Sequence, residues 1–247
     1  MKIGIAGKGG SGKSTLAALI IDCLLKNGKT PILAVDADPN HSLGEYLGLD
    51  KPSTLMEKME ELLQLKDKLP PGMDKALLWE MGIAEILQEN KGFDLLTMGR
   101  TEGAGCYCTA NNLLRTFMER LEKNYPFVVM DNEAGMEHLS RRTSRELDYL
   151  AIVANPFPHS LKSAERIWEI SRDMDLEIKE RILIMVETIP GEIKDPIKPF
   201  REIACTIPFD QEVLSRSLQN LPLLGIDSSS PAPRAVEKLV LELIAKN

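Results

Sequence analysis

The chain has 247 residues, four cysteines and a net charge of −7 at pH 7. This acidic balance argues against nucleic acid as a partner, because proteins that bind a phosphate backbone usually present a basic face. No apolar run is long enough to cross a membrane, and so few cysteines suit a reducing compartment better than a disulfide framework. We therefore predict one cytoplasmic domain over residues 1–247 that acts without nucleic acid or membrane.

The first predicted element is a short apolar strand, Lys2 to Ala6, which runs directly into a glycine-rich loop over residues 7–15. The loop matches the pattern G-x-x-x-x-G-K-[ST], in which glycines let successive backbone N–H groups point at phosphate oxygens. An amphipathic helix follows from Ser14 and directs its positive N-terminal end at the same anion. A match in this context predicts a nucleoside triphosphate site.

Within that loop the side chains have separate tasks. Lys13 supplies a charge for the β- and γ-phosphates, and the Ser14 hydroxyl can ligate Mg²⁺. The predicted ligand is therefore a nucleoside triphosphate together with its Mg²⁺ ion. The remaining phosphate contacts are expected from Gly9, Gly10, Ser11, Gly12 and Thr15.

Further along the chain, apolar strand-like runs alternate with helical patterns, which is typical of an open, mostly parallel sheet with helices on both faces. The predicted fold class is therefore α/β, of the P-loop NTPase kind. Residues 50–92 form the least regular stretch, although Leu55, Met56 and Met59 have the spacing of a helical core face. Later strands are predicted at 31–36, 93–98, 127–131, 150–154, 182–186 and 204–207, and later helices at 110–123, 161–174, 211–218 and 234–245.

The strand at 31–36 ends in Asp36, and Asp38 follows two residues later. Ligands of open α/β sheets bind beyond the carboxyl ends of the strands, so both carboxylates are expected close to the γ-phosphate and Mg²⁺. A carboxylate beside bound phosphate is costly unless a metal ion or an attacking water uses it. The alternative is an Asp-Pro turn that only caps the following helix.

The strand at 127–131 ends in Asp131, which has the form of a second carboxylate on the metal side. Gly135 in the next loop allows the backbone to approach the γ-phosphate. Such a loop acts as a switch that the γ-phosphate orders and hydrolysis releases. Asp131 is expected as an outer-sphere Mg²⁺ ligand, and the alternative is a strand-end aspartate that caps the next turn.

Cys106 and Cys108 lie on a glycine-rich loop after the strand at 93–98. With one residue between them, they are poorly placed to form a relaxed disulfide. They are well placed to give two of four thiolates to a soft metal ion, if a second subunit brings another such pair. The alternative is two incidental small residues, as Cys23 and Cys205 are expected to be within their apolar runs.

The loop K-G-G-S-G-K-S at residues 8–14 resembles the deviant phosphate-loop ATPases. That group includes the septum-site and plasmid-partition ATPases and the nitrogenase iron protein. The resemblance implies that Lys8 reaches the nucleotide of a partner subunit, so that ATP holds a homodimer together. A solvated loop lysine is the alternative.

Four motifs, in order, resemble the CooC-type maturation ATPases, which support nickel insertion into carbon monoxide dehydrogenase or acetyl-CoA synthase. They are the phosphate loop, the acidic turn at 36–39, the Cys-Tyr-Cys stretch at 106–108 and the run at 133–139. The resemblance implies an ATP- and metal-stabilised homodimer that binds one Ni²⁺ or Zn²⁺ ion between Cys106 and Cys108 of both chains. It would hydrolyse ATP to ADP and phosphate slowly, as a conformational switch, and deliver the metal to its client enzyme.

Within the nucleotide site, the resemblance assigns individual roles. It implies that Asp36 holds an Mg²⁺-bound water and that Asp38 polarises the water that attacks the γ-phosphate. Lys8, from the partner subunit, and Lys13 would complete the set of catalytic residues.

The base contacts are less direct to assign. Relatives often read adenine with an asparagine at the end of the strand that here continues into Glu187. We therefore expect the contacts to come from Asn155, Pro208 and Asp210, the last two within the family pattern I-P-x-D. The alternative is that these proline turns are purely structural.

Two other functions stay open. A partition- or septum-positioning ATPase would act on DNA or membrane, but Glu237 and Glu242 flank the apolar stripe of the last predicted helix, which favours docking on the core. An iron–sulfur reductase of the nitrogenase iron protein kind would also use four thiolates. Such reductases take their cysteines from distant loops, unlike the single Cys-x-Cys of this chain.

Overall fold

The computed structural model describes residues 1–38, 40, 42–50, 53–65, 81–82, 84–99, 116–132, 146–174, 176–187 and 198–247. The strands within these residues are β1 (Lys2–Gly7), β2 (Ile32–Ala37), β3 (Gln88–Glu89), β4 (Phe93–Thr97), β5 (Phe127–Asn132), β6 (Glu146–Ala154), β7 (Glu177–Val186) and β8 (Cys205–Ile207). The helices are α1 (Lys13–Lys26), α2 (Ser42–Tyr46), α3 (Leu55–Leu65), α4 (Pro158–Asp173), α5 (Gln211–Leu218) and α6 (Pro231–Lys246). Residues 81–82, 84–86 and 116–122 are also helical.

The described strands form one eight-stranded sheet in the order β3-β4-β2-β5-β1-β6-β7-β8. Every neighbouring pair is parallel except β3 with β4. The prediction of an open, mostly parallel sheet is therefore confirmed. The antiparallel strand β3 has no counterpart among the predicted strands, because two residues are too few for a periodic signal.

The central strand β1 lies between β5 and β6. The chain passes from β1 through α1 to β2 in one half of the sheet, and β6, β7 and β8 later build the other half. This reversal is a topological switch point, where a crevice outside the carboxyl ends of the strands accepts ligands. The phosphate loop opens directly into that crevice.

Two hydrophobic clusters cover the two faces of the sheet. One includes residues of α1 and α6, and the other includes residues of α3 and α4. In β7, Ile182 and Ile184 belong to the first cluster, whereas Leu183 and Met185 belong to the second. A strand buried on both faces reads as a continuous apolar run, which is why these strands could be predicted.

Strands β6 and β7 begin earlier than predicted, at Glu146 and Glu177 rather than at residues 150 and 182. Their first halves lie at the amino end of the sheet and mix exposed with buried positions. The apolar run that marks the buried half of each strand is absent there, so the sequence gives no strand signal.

Helix α3 forms within residues 50–92, the stretch predicted to be least regular. The Thr54 hydroxyl accepts the Glu57 N–H at 3.2 Å, and the Glu57 carboxylate accepts the Thr54 N–H at 3.0 Å. This reciprocal pair is a Thr-x-x-Glu capping box, a helix-start signal that is visible in the sequence. Leu55, Met56 and Met59 are buried, as their helical spacing predicts.

Helix α6 is part of the core. Val236, Leu239, Val240 and Leu243 are all buried in the cluster that also holds α1. The prediction that this helix docks on the core is confirmed. Within the described ranges, no helix combines the length and apolarity that crossing a membrane requires.

Candidate nucleotide site

The phosphate loop joins β1, which ends at Gly7, to α1, which begins at Lys13, one residue earlier than predicted. Gly10 and Gly12 have φ angles of 75° and 95°, a left-handed conformation that side chains disfavour. A Cβ atom at Gly7 would lie 2.5 Å from the Val153 carbonyl oxygen. The glycines therefore permit a tight loop over the carboxyl ends of β1 and β6.

Lys13 projects from the start of α1 toward the end of β2. Its side chain is 5% exposed, and its Nζ atom lies 3.9 Å from Oδ2 of Asp38. The two residues predicted to serve the γ-phosphate and the attacking water are thus neighbours. In the loop below, the buried Ser11 hydroxyl has no hydrogen-bond partner among the described residues.

Asp36 and Asp131 occupy paired positions on the adjacent strands β2 and β5, and both are fully buried. Burial, reinforced by the charge of Asp131, raises the pKa of Asp36 to about 8. Burial likewise raises the pKa of Asp131 to about 6, although Ser14 and Lys13 work against the rise. The ionised forms of both side chains are therefore disfavoured here.

Neither carboxylate oxygen of Asp131 accepts a hydrogen bond of ordinary geometry among the described residues, although Ser14 lies near enough to oppose the rise in its pKa. A buried carboxylate without partners is costly unless a cation is close. Carboxylate, hydroxyl and phosphate oxygens are the donors that Mg²⁺ prefers. Ser14, Asp36 and Asp131, predicted from separate motifs, meet here in a set that fits this ion.

The acidic turn after β2 also has a structural role. Asp36 accepts the N–H of Leu43, in α2, at 3.0 Å, and the N–H of Asp38 at 3.2 Å. Asp38 Oδ1 accepts both the backbone and the side-chain N–H groups of Asn40 at 2.9 Å. Asp36 therefore caps the start of α2, as the alternative proposed, and these bonds fix the positions of both carboxylates, whereas Pro39 lies outside the described residues.

Lys8 lies on the exposed crest of the loop with Gly9 and Gly10, and its carbonyl oxygen accepts the Ser11 N–H at 3.1 Å. The loop therefore presents Lys8 outward while it directs Lys13 inward.

The residues predicted for the base lie on the other side of the loop from Asp36 and Asp131. Asn155 follows β6 and its side-chain oxygen accepts the Phe157 N–H at 3.4 Å, which turns the chain into α4. Pro208 follows β8, whose end is joined to that of β7 because the Glu187 N–H donates to the Ile207 carbonyl at 2.9 Å. The ends of β6 and β8 therefore lie on the side of the phosphate loop opposite to Asp36 and Asp131.

Asp210, one of the residues predicted to contact the base, uses its side chain within the protein. It is the N-cap of α5, it is buried, and both of its carboxylate oxygens accept hydrogen bonds from the protein. A base contact at this position would therefore come from the backbone. An aspartate directly before a helical pattern is a recognised N-cap signal, so this role could have been predicted.

Cys106, Cys108 and the run at 133–139, which includes Gly135 of the predicted switch loop, lie outside the described residues. Cys23 and Cys205 are free thiols, and burial raises the pKa of each to about 11. The raised pKa values are consistent with the expectation that Cys23 and Cys205 serve as small apolar residues. In the part of the chain that the structure describes, no three His, Cys, Asp or Glu side chains are grouped to hold a metal ion.

A glycine-rich loop between a central parallel strand and its helix, with buried carboxylates beside it, defines a P-loop nucleoside triphosphatase. The chain belongs to the AAA domain family, whose sequence profile matches residues 2–184. An uncharacterised ATP-binding protein of Methanocaldococcus jannaschii is 36% identical over 253 residues, which cover 100% of this chain and 99% of the relative.

Two further proteins are similar to this chain. The carbon monoxide dehydrogenase accessory protein CooC of Rhodospirillum rubrum is 31% identical over 249 residues, which cover 95% of this chain and 92% of the relative. The MinD cell division protein of Aquifex aeolicus shares the fold, with a TM-score of 0.69 and 22% identity over 100% of this chain and 97% of that one. The chain is therefore an ATPase with a MinD-like fold.

Proposed function

We propose that this ATPase is a dimerising metallochaperone that supports nickel insertion into carbon monoxide dehydrogenase or acetyl-CoA synthase. The observation that carries the proposal is the Cys106-Tyr107-Cys108 stretch, in a chain that is 31% identical to a carbon monoxide dehydrogenase accessory protein. A nucleotide site alone fits many ATPases. The two closely spaced thiols narrow the choice, because thiolates are ligands of soft metal ions.

In the proposed site, the phosphates of ATP lie on the backbone from Gly9 to Thr15, and Lys13 neutralises the β- and γ-phosphates. Mg²⁺ would supply electrostatic stabilisation of the transferring phosphoryl group, held by Ser14 and by waters on Asp36 and Asp131. Asp38 lies close to Lys13, where its carboxylate orients and polarises the attacking water.

Lys8 makes the site dependent on a dimer. It is exposed on the crest of the loop, so a second subunit can bring its own Lys8 onto the phosphates of this one. Hydrolysis and phosphate release remove negative charge that Lys8 neutralises, which loosens the dimer. ATP hydrolysis then serves as a slow conformational switch rather than as bulk chemistry.

The adenosine half of the nucleotide is assigned to the side of the loop where β6, β7 and β8 end. The buried carboxylates occupy the opposite side, at β2 and β5, where the γ-phosphate and Mg²⁺ are proposed to lie. The proposed contacts to the base are therefore Asn155, Pro208 and the backbone at Asp210.

The metal cargo would be shared between two chains. Cys106 and Cys108 of each subunit supply a total of four thiolates, a donor set that takes Zn²⁺ or Ni²⁺. Bridging the subunits in this way couples metal affinity to the nucleotide state, because ATP sets how the subunits face each other.

The test is anaerobic metal stoichiometry with a competing chelator, with and without ATP. We expect one Ni²⁺ or Zn²⁺ ion per two chains, lost in a Cys106→Ser/Cys108→Ser variant. Cys205→Ala, which removes a partly buried thiol outside the proposed metal site, is the matched control and should keep the metal. Absence of tight metal from the unmodified protein would contradict the metallochaperone function and leave the ATPase intact.

The second candidate is a partition- or septum-positioning ATPase, which the MinD-like fold favours. Its target would be DNA or a membrane surface. The net charge of −7 and the burial of the apolar face of α6 in the core argue against both targets. ATP-dependent co-sedimentation with DNA or with anionic liposomes would favour this candidate over the first.

A further inference from the structure

The Asp210 carboxylate joins the N-termini of two helices. Its Oδ1 atom accepts the N–H groups of Glu212 and Val213 at 2.9 and 3.3 Å, at the start of α5. Its Oδ2 atom accepts the Ser230 hydroxyl at 2.6 Å and the Ala232 N–H at 3.0 Å, at the start of α6. Asp210 is only 7% exposed, and both of its carboxylate oxygens accept hydrogen bonds from within the protein.

The lowered pKa of Asp210 is consistent with a carboxylate that is kept ionised by the fold itself. Burial alone would raise the pKa of Asp210, but the hydrogen bonds from Ser230, Ala232, Val213 and Glu212 outweigh it and hold that pKa below its ordinary value. Two helix N-termini converge on this carboxylate, and each favours negative charge. Asp210 therefore stays ionised without a ligand.

Residues 219–230, which connect α5 to α6, also bind α1, the helix that begins at the phosphate loop. Asp22, in α1, accepts the Gly225 N–H at 2.8 Å and pairs with Lys26 at 2.7 Å. The Leu223 N–H donates to the Tyr46 carbonyl at 2.8 Å. These bonds hold one end of the connection against α1 and α2, while Asp210 holds the other.

The loop that Asp210 fixes lies beside the phosphate cradle. The Ile207 carbonyl accepts the Glu187 N–H at 2.9 Å, directly after β7. Val186, the last residue of β7, lies next to Gly12. A Cβ atom added at Gly12 would be 3.7 Å from the Val186 side chain. A nucleotide with its γ-phosphate toward Asp36 directs its base toward this side.

We propose that Asp210 is a positioning residue for the nucleotide base, which acts by locking the backbone of residues 207–210 between α5 and α6 rather than by touching the base itself. The inference rests on the proposed base site and specifies how that site is built. A loop already fixed in its binding conformation loses little conformational freedom when the ligand arrives, so locking it raises affinity. The phosphate cradle, which has its own glycine-determined shape, does not depend on this lock.

The test compares two ligands. ATP uses both the cradle and the base loop, whereas inorganic tripolyphosphate uses the cradle alone. With Mg²⁺ present, Asp210→Asn should raise the Kd for ATP about tenfold, because it removes charge-assisted hydrogen bonds that hold the base loop. The Kd for tripolyphosphate should stay unchanged, which a general loss of structure would not produce.

A second variant separates positioning from direct contact. Ser230→Ala removes one partner of Asp210 but leaves the carboxylate itself, and should raise the Kd for ATP about threefold without affecting tripolyphosphate. Ser230→Thr keeps the hydroxyl and should restore ATP affinity. Asp227→Asn is the matched control, since Asp227 is exposed in the same connection and its carboxylate accepts a local bond from the Ser229 N–H at 2.8 Å.

If Asp210→Asn weakens ATP while Ser230→Ala does not, the carboxylate contacts the base directly and the positioning role is wrong. Equal losses for ATP and tripolyphosphate would also overturn it. If Asp210→Asn does not fold, the Ser230 variants carry the same comparison. An unmodified protein that binds tripolyphosphate as tightly as ATP would instead refute the base site on which the inference depends.

Discussion

The two ends of the β-sheet hold aspartates in opposite electrostatic states. At the carboxyl end, Asp36 and Asp131 are fully buried and burial raises their pKa values. At the amino end, Asp148 accepts the Lys2 N–H at 2.7 Å and pairs with Lys179. Burial alone would raise the pKa of Asp148, but those two partners outweigh it and lower that pKa. Asp148 is thus stabilised as an anion by its partners, whereas burial outweighs the hydrogen bonds of Asp36, and Asp131 accepts no hydrogen bond of ordinary geometry from the described residues.

The difference separates a stabilising position from a binding position. A carboxylate whose partners belong to the fold contributes stability, whereas one without partners costs stability until a cation arrives. Strongly perturbed carboxylates in a crevice are characteristic of functional sites. Electrostatics therefore point to the same end of the sheet as the phosphate loop.

The largest expected effect concerns Asp38, at the carboxyl end. Asp38→Ala should lower kcat for ATP hydrolysis by at least about 100-fold, because the attacking water loses the group that polarises it. ATP binding should be retained or strengthened, since Lys13 loses its carboxylate neighbour. Phosphate release measured beside nucleotide affinity tests both. Asp148→Asn, at the amino end, is the matched control, and retained hydrolysis in Asp38→Ala would refute this role.

The next effect concerns the stability of the nucleotide-free protein. Asp131→Asn should increase the free energy of unfolding by about 1–3 kcal/mol at pH 8, because it removes a buried charge that accepts no hydrogen bond of ordinary geometry from the described residues. Its folded pKa, about 6, is raised above the unfolded value, so the protein should lose stability as pH rises from about 4 to 6.

Asp131→Asn should lack the part of that loss that Asp131 causes, whereas the loss caused by buried Asp36, with a pKa of about 8, should remain. Urea unfolding in EDTA at several pH values tests the comparison, and a variant that is less stable than the unmodified protein at pH 8 would contradict it. With Mg²⁺ and ATP the order should reverse, since the ion uses the carboxylate that the variant lacks.

The smallest effect concerns the amino end. Asp148→Asn should lower the free energy of unfolding by about 1 kcal/mol near neutral pH, mainly through the bond to the Lys2 N–H, because the exposed pair with Lys179 is screened. The folded pKa of Asp148 is lowered, so this stability is present above its unfolded pKa and is lost as pH falls through the folded value.

Urea unfolding of the Asp148 variant at neutral and acidic pH measures that difference. Equal stability of the two proteins at neutral pH would show that the amino end is not held by this carboxylate. The contrast between the ends of the sheet would then depend on the carboxyl end alone.

Features with a local chemical cause could be predicted from the sequence. The phosphate loop needs glycines at fixed positions, and Gly10 and Gly12 have the positive φ angles that this requires. Asp36 and Asp131 could be placed together because parallel strands end at a common edge. A single rule about strand ends, applied to two separate motifs, located both carboxylates.

Features that depend on distant partners could not be predicted in the same way. The Asp210 carboxylate is bound by Ser230 and Ala232, and no local pattern in the sequence links positions so far apart. Helix α3 is a different case, since its Thr54 and Glu57 capping box is a local signal that the irregular composition of residues 50–92 obscured.

The neighbouring charges of Lys13 and Asp38 make the protein compete with its own ligand. The carboxylate lies 3.9 Å from the ammonium group that the γ-phosphate would bind, so an incoming nucleotide must displace an anion already in place. The displaced carboxylate is the group assigned to polarise water, and it becomes free for that task only once a phosphate has taken its position beside Lys13.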